Sequence, residues 1–440
     1  MSKSPVTIED MFETKSITNP VLAPDDKGAV FIVTELNEQD NNYYSAIHYV
    51  NLETKSVTQW TFGKQKVSSP KWSADGQMVA FLSNRTETNQ LYVLKVTGGE
   101  ARQLTDVKHS IDSFEWSPCG QKIWCSGTVK FGETFASTEQ AEDKFSQSIR
   151  ITRMKYEADR IGVVPQDEWT QIGWVDLATE NITDFTTEPF HHSLEAVSSD
   201  GKQLVMGVNR AEHDDHDVST PLILVDIETK DEMILCDAQG YVGQVHFSKD
   251  DRYIAYVGSD LTHINATQAD VFVYDEADGL TMNMTAALDA PVGNESIAVH
   301  LQQAAAPGVV WTEDEQLYFQ LSVMGDVRLY AATLDGAMYP ATGEDEHVYG
   351  YDVSSTGEFA LLTVSTPTHP GELYYQTIAT GERIALTSLN ERWLNKAKPD
   401  TFHYSNSEID LEGWLMRPTE YDENTDYPVK EIIGWFERYL

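Results

Sequence analysis

The residues best suited to bind a metal ion lie in AEHDDHDVS, which runs from Ala211 to Ser219. Imidazole and carboxylate side chains together suit Zn²⁺ or Mn²⁺. The same composition is typical of a solvated hairpin loop, and we favour that interpretation. A second acidic stretch, YDEADG from Tyr274 to Gly279, lacks the ligand spacing and distal Glu of a calcium loop and predicts a hairpin turn. The sequence therefore predicts neither a metal site nor a cofactor.

Nucleophilic catalysis requires a serine, a base within hydrogen-bond reach, an orienting carboxylate and oxyanion donors. None of the 27 glycines has a serine two positions later, so the chain contains no G-x-S-x-G motif, and it contains no His-Gly-Gly. Serine and aspartate are frequent, but they occupy turn positions where they cap hairpins. The sequence predicts no catalytic residue in this chain.

Charge limits the possible partners of the chain. It has 31 Lys and Arg against 70 Asp and Glu, a formal net charge of −39. Such a surface repels phosphate backbones and anionic membranes, so neither nucleic acid nor a membrane is an expected partner. We interpret the charge as a solubility device; the alternative is a field that attracts cationic peptides.

Three cysteines are an odd, sparse set that fits a reducing compartment. The N-terminus MSKSPVTIEDMF lacks the apolar region of a signal peptide, and no apolar run approaches the roughly 18 residues of a membrane helix. We therefore expect a cytoplasmic protein.

A strand end, a polar turn and an apolar strand recur in seven copies along the chain. These are VLAPDDKGAVFIV (21–33), KWSADGQMVAFLSN (71–84), EWSPCGQKIWCSG (115–127), AVSSDGKQLVMGV (196–208), HFSKDDRYIAYVG (246–258), VWTEDEQLYFQLS (310–322) and DVSSTGEFALLTV (352–364). A second hairpin follows each copy and usually closes on Thr, as in LYVLKVTGGEARQLT (91–105). Two hairpins supply four strands, and one four-stranded antiparallel sheet per repeat is a β-propeller blade. The sequence predicts an all-β, seven-bladed β-propeller.

The predicted propeller spans 18–390, after an N-terminal segment at 1–17. Blade one (about 18–62) and blade seven (about 347–389) each contain four strands of their own. The ring would then close by side-chain packing, without a shared sheet. The recurring Trp72, Trp116 and Trp311 are expected in the core between blades. A polar insertion at about 129–167 is expected over one mouth of the ring, because long insertions in compact folds are usually functional or mobile.

The repeats resemble the propeller of the prolyl oligopeptidase (S9) family of serine peptidases, especially its acylaminoacyl-peptidase branch. The resemblance rests on WS-x-DG followed by LY-V-x-V-x-GGE-x-x-x-LT, on the N-terminal VTIEDMFETKSITNPVLAPD, and on FHYSNSEIDLEGWLMRPTEYDENTDYPV (402–429) after the last blade. In that family, a strand beginning YPV leads into an α/β-hydrolase domain that carries the nucleophile elbow. The resemblance implies peptide substrates in a full-length parent.

The sequence departs from the family after Val429, where KEIIGWFERYL follows at once. We interpret 391–429 as the entry strands of a missing hydrolase domain and 430–440 as a C-terminal amphipathic helix remnant. On this interpretation the chain is an internal deletion that keeps a propeller. Segment 402–429 would form at best a hairpin turning near Asn406 and Ser407. The apolar stripe of the helix is expected to be mobile, to pack on the propeller, or to mediate self-association.

Three arginines in or near the insertion are the candidate substrate-binding residues: Arg150, Arg153 and Arg160. In members of the family, propeller residues that face the hydrolase help to hold the peptide. The alternative for these three residues is local ion pairing.

Three functions follow from these observations. The first is a non-catalytic, substrate-gating propeller of an acylaminoacyl-peptidase-like serine hydrolase, inactive as this chain stands. The second is a stand-alone TolB-like or WD-type propeller that serves as a protein-interaction platform. The third is an enzyme acting in its own central pocket, which would need convergent carboxylates at the inner strand ends. The aligned repeats show no repeated Asp or Glu at those ends.

Overall fold

The computed structural model describes residues 7–130, 132–137, 151–159, 162–165, 167–211, 219–237, 240–263, 266–296, 307–393, 398–406, 409–418 and 421–428. Secondary structure in these residues is almost entirely β. The exceptions include a short helix α1 (Asp10–Glu13) and a 3-10 turn (Glu391–Trp393). No described helix has the length and apolar character needed to cross a membrane.

The strands form antiparallel groups of four. The first three groups are β1 (Lys15–Leu22), β2 (Gly28–Asn37), β3 (Asn42–Asn51), β4 (Val57–Gln59); β5 (Val67–Trp72), β6 (Met78–Thr86), β7 (Thr88–Lys95), β8 (Arg102–Gln103); and β9 (Ile111–Trp116), β10 (Lys122–Lys130), β13 (Glu168–Asp176), β14 (Ile182–Asp184). Between β10 and β13 lies the separate pair β11 (Glu157–Ala158) and β12 (Gly162–Val163).

The fourth and fifth groups are β15 (His192–Val197), β16 (Gln203–Val208), β17 (Leu222–Asp226), β18 (Glu232–Cys236) and β19 (Val242–Phe247), β20 (Tyr253–Gly258), β21 (Asp270–Asp275), β22 (Leu280–Asn283). The sixth and seventh are β23 (Val310–Trp311), β24 (Leu317–Val323), β25 (Asp326–Ala332), β26 (Met338–Pro340) and β27 (His347–Val353), β28 (Phe359–Thr366), β29 (His369–Thr377), β30 (Arg383–Ala385). One parallel pair, Val327 with His347, joins these last two groups into one sheet. The hairpin β31 (Asp400–Asn406) and β32 (Ile409–Leu415) follows.

The predicted all-β fold of four-stranded antiparallel sheets is confirmed. The first strand of each group lies beside the first strand of the next group, and β27 lies beside β1. Apolar side chains of neighbouring groups pack together; Val30 and Ile47 of the first group, for example, share a core with Phe81 of the second. This arrangement is compatible with a β-propeller.

Buried hydroxyl groups explain the recurring turn sequences. Ser73 Oγ donates to Asp75 Oδ1 (2.6 Å) and accepts from the N–H of Met78 (2.9 Å), which closes the turn between β5 and β6. The same pattern recurs around Ser198 and Ser248. Serine and aspartate at these positions therefore cap hairpins, as predicted.

The threonine that closes the second hairpin has an equally specific role. Thr105 Oγ1 accepts from the buried N–H of Leu91 at 2.9 Å. Five further threonines accept in the same way from the third strand of their groups: Thr61, Thr186, Thr285, Thr342 and Thr387. A buried N–H without an acceptor is costly, which accounts for the repeated Thr.

The three recurring tryptophans link neighbouring groups. The indole N–H of Trp72 donates to the carbonyl of Val21 (3.1 Å), and that of Trp116 donates to the carbonyl of Lys71 (3.0 Å). Trp311 donates to the carbonyl of His246 (3.3 Å) in the same way. Their predicted place between sheets is confirmed. Because these bonds join equivalent strand ends, neighbouring sheets stand side by side in one orientation.

The first and last groups meet through side chains. No strand of β1–β4 pairs with a strand of β27–β30 within the described residues. Instead, the buried amide of Asn390 brackets Lys15: its Oδ1 accepts from the Lys15 N–H (3.1 Å), and its Nδ2 donates to the Lys15 carbonyl (2.9 Å). The Asn390 amide also donates to the carbonyl of Gly371 (2.9 Å). Arg392 pairs with Asp10, and Asp352 Oδ2 accepts from the N–H of Leu22 (2.8 Å).

Replacing Asn390 by Ala should destabilise this seam. The substitution leaves the backbone groups of Lys15 and the carbonyl of Gly371 without partners in a buried place, at a cost of roughly 2 to 4 kcal/mol. Chemical denaturation measures the change. Asn424→Ala, in an exposed turn, is the control and should change stability by less than about 0.5 kcal/mol.

Asp352 should make the seam sensitive to pH. Burial, with a smaller effect of the Asp26 carboxylate, raises the pKa of its carboxyl to about 7. The N–H groups of Leu22 and Val353 and the nearby Lys249 favour the charged form and oppose this rise. Because the folded-state pKa is raised, this group's stabilising contribution is present at acidic pH and is lost as pH rises through about 7. Asp352→Asn removes the titration and keeps one of the two oxygens that accept from the N–H groups of Leu22 and Val353. The loss of the other acceptor lowers stability by an amount that does not depend on pH, so we expect the stability of the variant relative to the parent to rise by roughly 1 to 3 kcal/mol between pH 4 and pH 8, in melting curves recorded across that range. Equal pH profiles would contradict this.

Candidate functional site

Three groups have long connections between their second and third strands. These connections comprise 131–167 in the third group, 209–221 in the fourth and 259–269 in the fifth. Because neighbouring groups share one orientation, the strand ends that border these connections lie at the same end of the sheets, which we call the insertion end. Binding residues concentrate on loops that a rigid scaffold positions, so this end is the candidate functional face.

The start of the 131–167 connection is anchored in the core of its sheet. Phe135 is buried, and its backbone N–H donates to Asp184 Oδ1 at 3.1 Å. Its ring lies against Gly127 and Gly173, where an added Cβ would approach the ring to 3.1 and 3.0 Å. The two glycines therefore make room for the aromatic ring that fixes the base of this connection.

The hairpin β31–β32 docks at the same end. It turns between Asn406 and Ile409, as predicted. Glu412 Oε2 accepts from the N–H of Gly325 (2.7 Å), in the tight turn between β24 and β25, and the indole of Trp414 lies directly against Gly325. One face of the hairpin thus contacts the sheets, whereas Phe402 and Tyr404 on its opposite face are about half exposed.

A cleft of about 240 Å³ separates the hairpin from the last two groups. Four acidic side chains line it: Asp326, Asp345, Glu346 and Glu412. Three of these carboxylates have a cationic partner, since Arg328 pairs with Asp326, Arg383 pairs with Glu346 and Lys398 lies 3.9 Å from Asp345.

His347 forms part of this cleft without a free ring nitrogen. Its Nδ1 lies 3.1 Å from Ser365 Oγ, and its Nε2 lies 2.8 Å from the amide nitrogen of Asn294. Burial lowers the pKa of His347 to about 4, so the ring is neutral at neutral pH, and its two contacts link β28 to the segment that carries Asn294.

A second polar cluster lies at the opposite end of the sheets, near the last residues of the first strands. Lys71 pairs with Glu115 across the second and third groups. Burial raises the pKa of Glu195, which accepts from Ser193 Oγ at 2.6 Å, and the nearby Glu115 carboxylate raises it further. Burial lowers the pKa of His246.

Sequence reasoning missed this cluster, although a signal was present. Lys71, Glu115 and His246 hold one position of the repeat, directly before the aromatic residue of KW, EW and HF, and Glu195 lies one residue earlier in its own strand. Glu115 and Glu195, which hold different repeat positions, place two individual carboxylates at these strand ends. The cluster contains no serine–histidine pair.

The predicted substrate-binding arginines remain a prediction. Arg150 and Arg160 lie outside the described residues. Arg153 belongs to the described stretch 151–159, where its side chain is half-buried.

Of the two candidate metal sites, only YDEADG lies fully within the described residues. Most of AEHDDHDVS, residues 212–218, lies outside the described residues. YDEADG forms the predicted hairpin turn between β21 and β22, in which Asp275 Oδ1 accepts from the N–H of Ala277 (2.9 Å) and Arg252 pairs with Asp275. In the part of the chain that the structure describes, no three His, Cys, Asp or Glu side chains are grouped to hold a metal ion.

Comparison with known proteins places peptidases among the relatives. No protein-family model matches the chain. The chain is 28% identical over 433 residues to the Bacillus subtilis (strain 168) protein named Uncharacterized peptidase YuxL, a match that covers 97% of this chain and 66% of that protein. It is 23% identical over 446 residues to Dipeptidyl-peptidase 5 of Porphyromonas gingivalis, covering 95% of this chain and 62% of the relative. The chain spans about two thirds or less of the length of these curated relatives.

Solved structures agree on the fold. Acylaminoacyl peptidase from Pyrococcus horikoshii is similar with a TM-score of 0.73 at 20% identity, over 95% of this chain and 60% of that chain. The β-propeller domain of the Trilobed protease from Pyrococcus furiosus is similar with a TM-score of 0.58 at 17% identity, over 85% of this chain and 98% of that domain. At such identities the likeness shows the fold alone.

Gly325→Ala should release the hairpin from the sheets. An added Cβ would collide with the Trp414 indole, so the indole must move and this contact between β31–β32 and the sheets is lost. We expect amide hydrogens of β31–β32 to exchange at least tenfold faster in the variant, measured by hydrogen–deuterium exchange. Gly343→Ala is the matched control, because a Cβ there meets open space. Unchanged exchange in Gly325→Ala would show that the hairpin is not held by this contact.

Proposed function

We propose that this chain is a seven-bladed β-propeller that gates peptide access to the active site of an acylaminoacyl-peptidase- or oligopeptidase-like serine hydrolase, and that it is inactive as it stands. The observation that carries the proposal is the similarity to the peptidase YuxL. That similarity runs along 97% of this chain and leaves about a third of the relative unmatched. The proposed catalytic groups belong to that unmatched part, since the residues shared here contain no G-x-S-x-G.

The proposed ring rests on the order of the sheets. Seven four-strand groups follow one another, each first strand lies beside the next, and β27 returns to β1. A ring closed in this way leaves a central channel bounded by first strands. The insertion end and the Lys71–Glu115 cluster then lie at the two mouths of that channel.

Two features of the proposed ring, its central channel and its seam, would control the access of peptides. A narrow channel admits extended or short peptides and excludes folded proteins. The seam between the first and last groups is joined by side-chain contacts such as Asn390 with Lys15, which can separate at lower cost than a backbone ladder. The proposed partners are peptide substrates and a hydrolase domain that packs at the insertion end, against the half-exposed Phe402 and Tyr404.

The purified chain should not react with a fluorophosphonate probe for serine hydrolases. No adduct should appear by intact mass, and an N-acyl-aminoacyl anilide should not be turned over, because the chain contains no G-x-S-x-G motif and the His347 ring beside Ser365 is half-buried, with its second nitrogen bonded to Asn294. A known serine peptidase in the same buffer controls for the probe. A stoichiometric adduct would show that the chain carries its own nucleophile and would overturn the inactive state proposed here.

A further inference from the structure

Arg85 differs from the other arginines in the described part of the chain. Seven of the others each pair with a carboxylate: Arg102, Arg210, Arg252, Arg328, Arg383, Arg392 and Arg417. The guanidinium of Arg85 forms no ion pair with any described residue, and its buried Nε has no hydrogen-bond partner. In a chain with 70 acidic residues, an arginine without a carboxylate is exceptional.

The fold nevertheless holds this guanidinium in place. Its central carbon lies 5.2 Å from the ring centroid of Tyr92 and 5.9 Å from that of Phe81, and these two rings stack on each other. Both rings lie in the core between the first two groups. Stacking on aromatic faces orients the planar fork without consuming its N–H donors.

The surroundings of Arg85 supply a second cation. Asn84 Oδ1 accepts from the backbone N–H of Lys66 at 2.7 Å, which ties the residue beside Arg85 to the strand before β5. The ammonium of Lys66 lies 6.0 Å from the ring centroid of Tyr43 and pairs with no described carboxylate. Two cations, each beside aromatic rings, therefore belong to segments that Asn84 joins.

The position of Arg85 is that of a binding residue. It lies near the end of β6, the second strand of its group, and hence at the insertion end together with the 131–167 connection and the hairpin. A bidentate guanidinium recognises a carboxylate, and the attraction is local because screening limits it to about 8 Å at physiological salt. The overall charge of −39 therefore does not prevent anion binding here.

We infer that Arg85, supported by Lys66, is a binding subsite for a carboxylate of a peptide at the insertion end. The inference rests on the proposed peptide-gating function and adds to it a preference for peptides that carry a carboxylate. The carboxylate is either the C-terminus of the peptide or an acidic side chain, and the experiment separates the two.

The test is an NMR titration of the full chain with three probes, observing the Arg85 Nε–Hε signal. The probes are N-acetyl-tetraalanine as the free acid, the same peptide as its C-terminal amide, and the amide with one internal glutamate. We expect the free acid or the glutamate peptide to shift the signal and to bind about tenfold more tightly than the uncharged amide. Whichever of the two binds identifies the source of the carboxylate.

Two variants sharpen the result. Arg85→Gln should reduce binding of the charged peptide to the level of the amide, whereas Arg102→Gln, which removes a surface arginine paired with Glu180, should leave binding unchanged. The titration of the parent chain tests the proposed subsite even if Arg85→Gln fails to fold. Equal binding of acid and amide would overturn the subsite and leave peptide gating intact. Absence of binding by all three probes would overturn the subsite and would also count against peptide gating.

Discussion

Closure of the first sheet against the last is the interaction on which the rest of the structure depends. Each sheet buries its faces only because a neighbour stands on both sides, and the first and last sheets have each other as that neighbour. The contact combines a core that includes Ile17, Phe31 and Leu361 with the Asn390 amide, which bonds the backbone of Lys15 as another strand would. Elsewhere, indole N–H groups of tryptophans perform the comparable task between consecutive sheets.

The grouping of strands could be predicted from sequence because it depends on local chemistry. A serine hydroxyl that closes a turn and a threonine hydroxyl that accepts a buried N–H must stand at fixed positions, so they recur visibly. The limits of the strands and the pairing between groups were harder to predict from sequence. β1 begins at Lys15, inside the segment expected to precede the propeller, and the parallel pair of Val327 with His347 leaves no local signal. Pairing between distant strands is decided by tertiary packing, which no short pattern encodes.

The candidate sites could be predicted less well than the fold. Composition drew attention to the arginines of the long insertion, and only Arg153 of these is in the described residues. Arg85 follows FLSN at the end of a strand and shows no distinguishing feature in sequence, because whether an arginine has a carboxylate partner depends on neighbouring sheets. The Lys71, Glu115 and His246 cluster could have been found, since the three residues share a repeat position, but that position becomes meaningful only when consecutive first strands are adjacent.

The side-chain seam has a consequence for how the chain reaches its native state. Lys15 and Asn390 are 375 residues apart, so the loop that their contact closes is nearly the whole protein. Contacts of such high sequence separation form late, because closing the loop lowers the entropy of the chain before the contact itself stabilises the fold. Until then, an open arc of sheets exposes the apolar faces of its first and last members. We therefore expect open arcs of this kind to be prone to aggregate during folding, and strong negative charge helps to keep them apart.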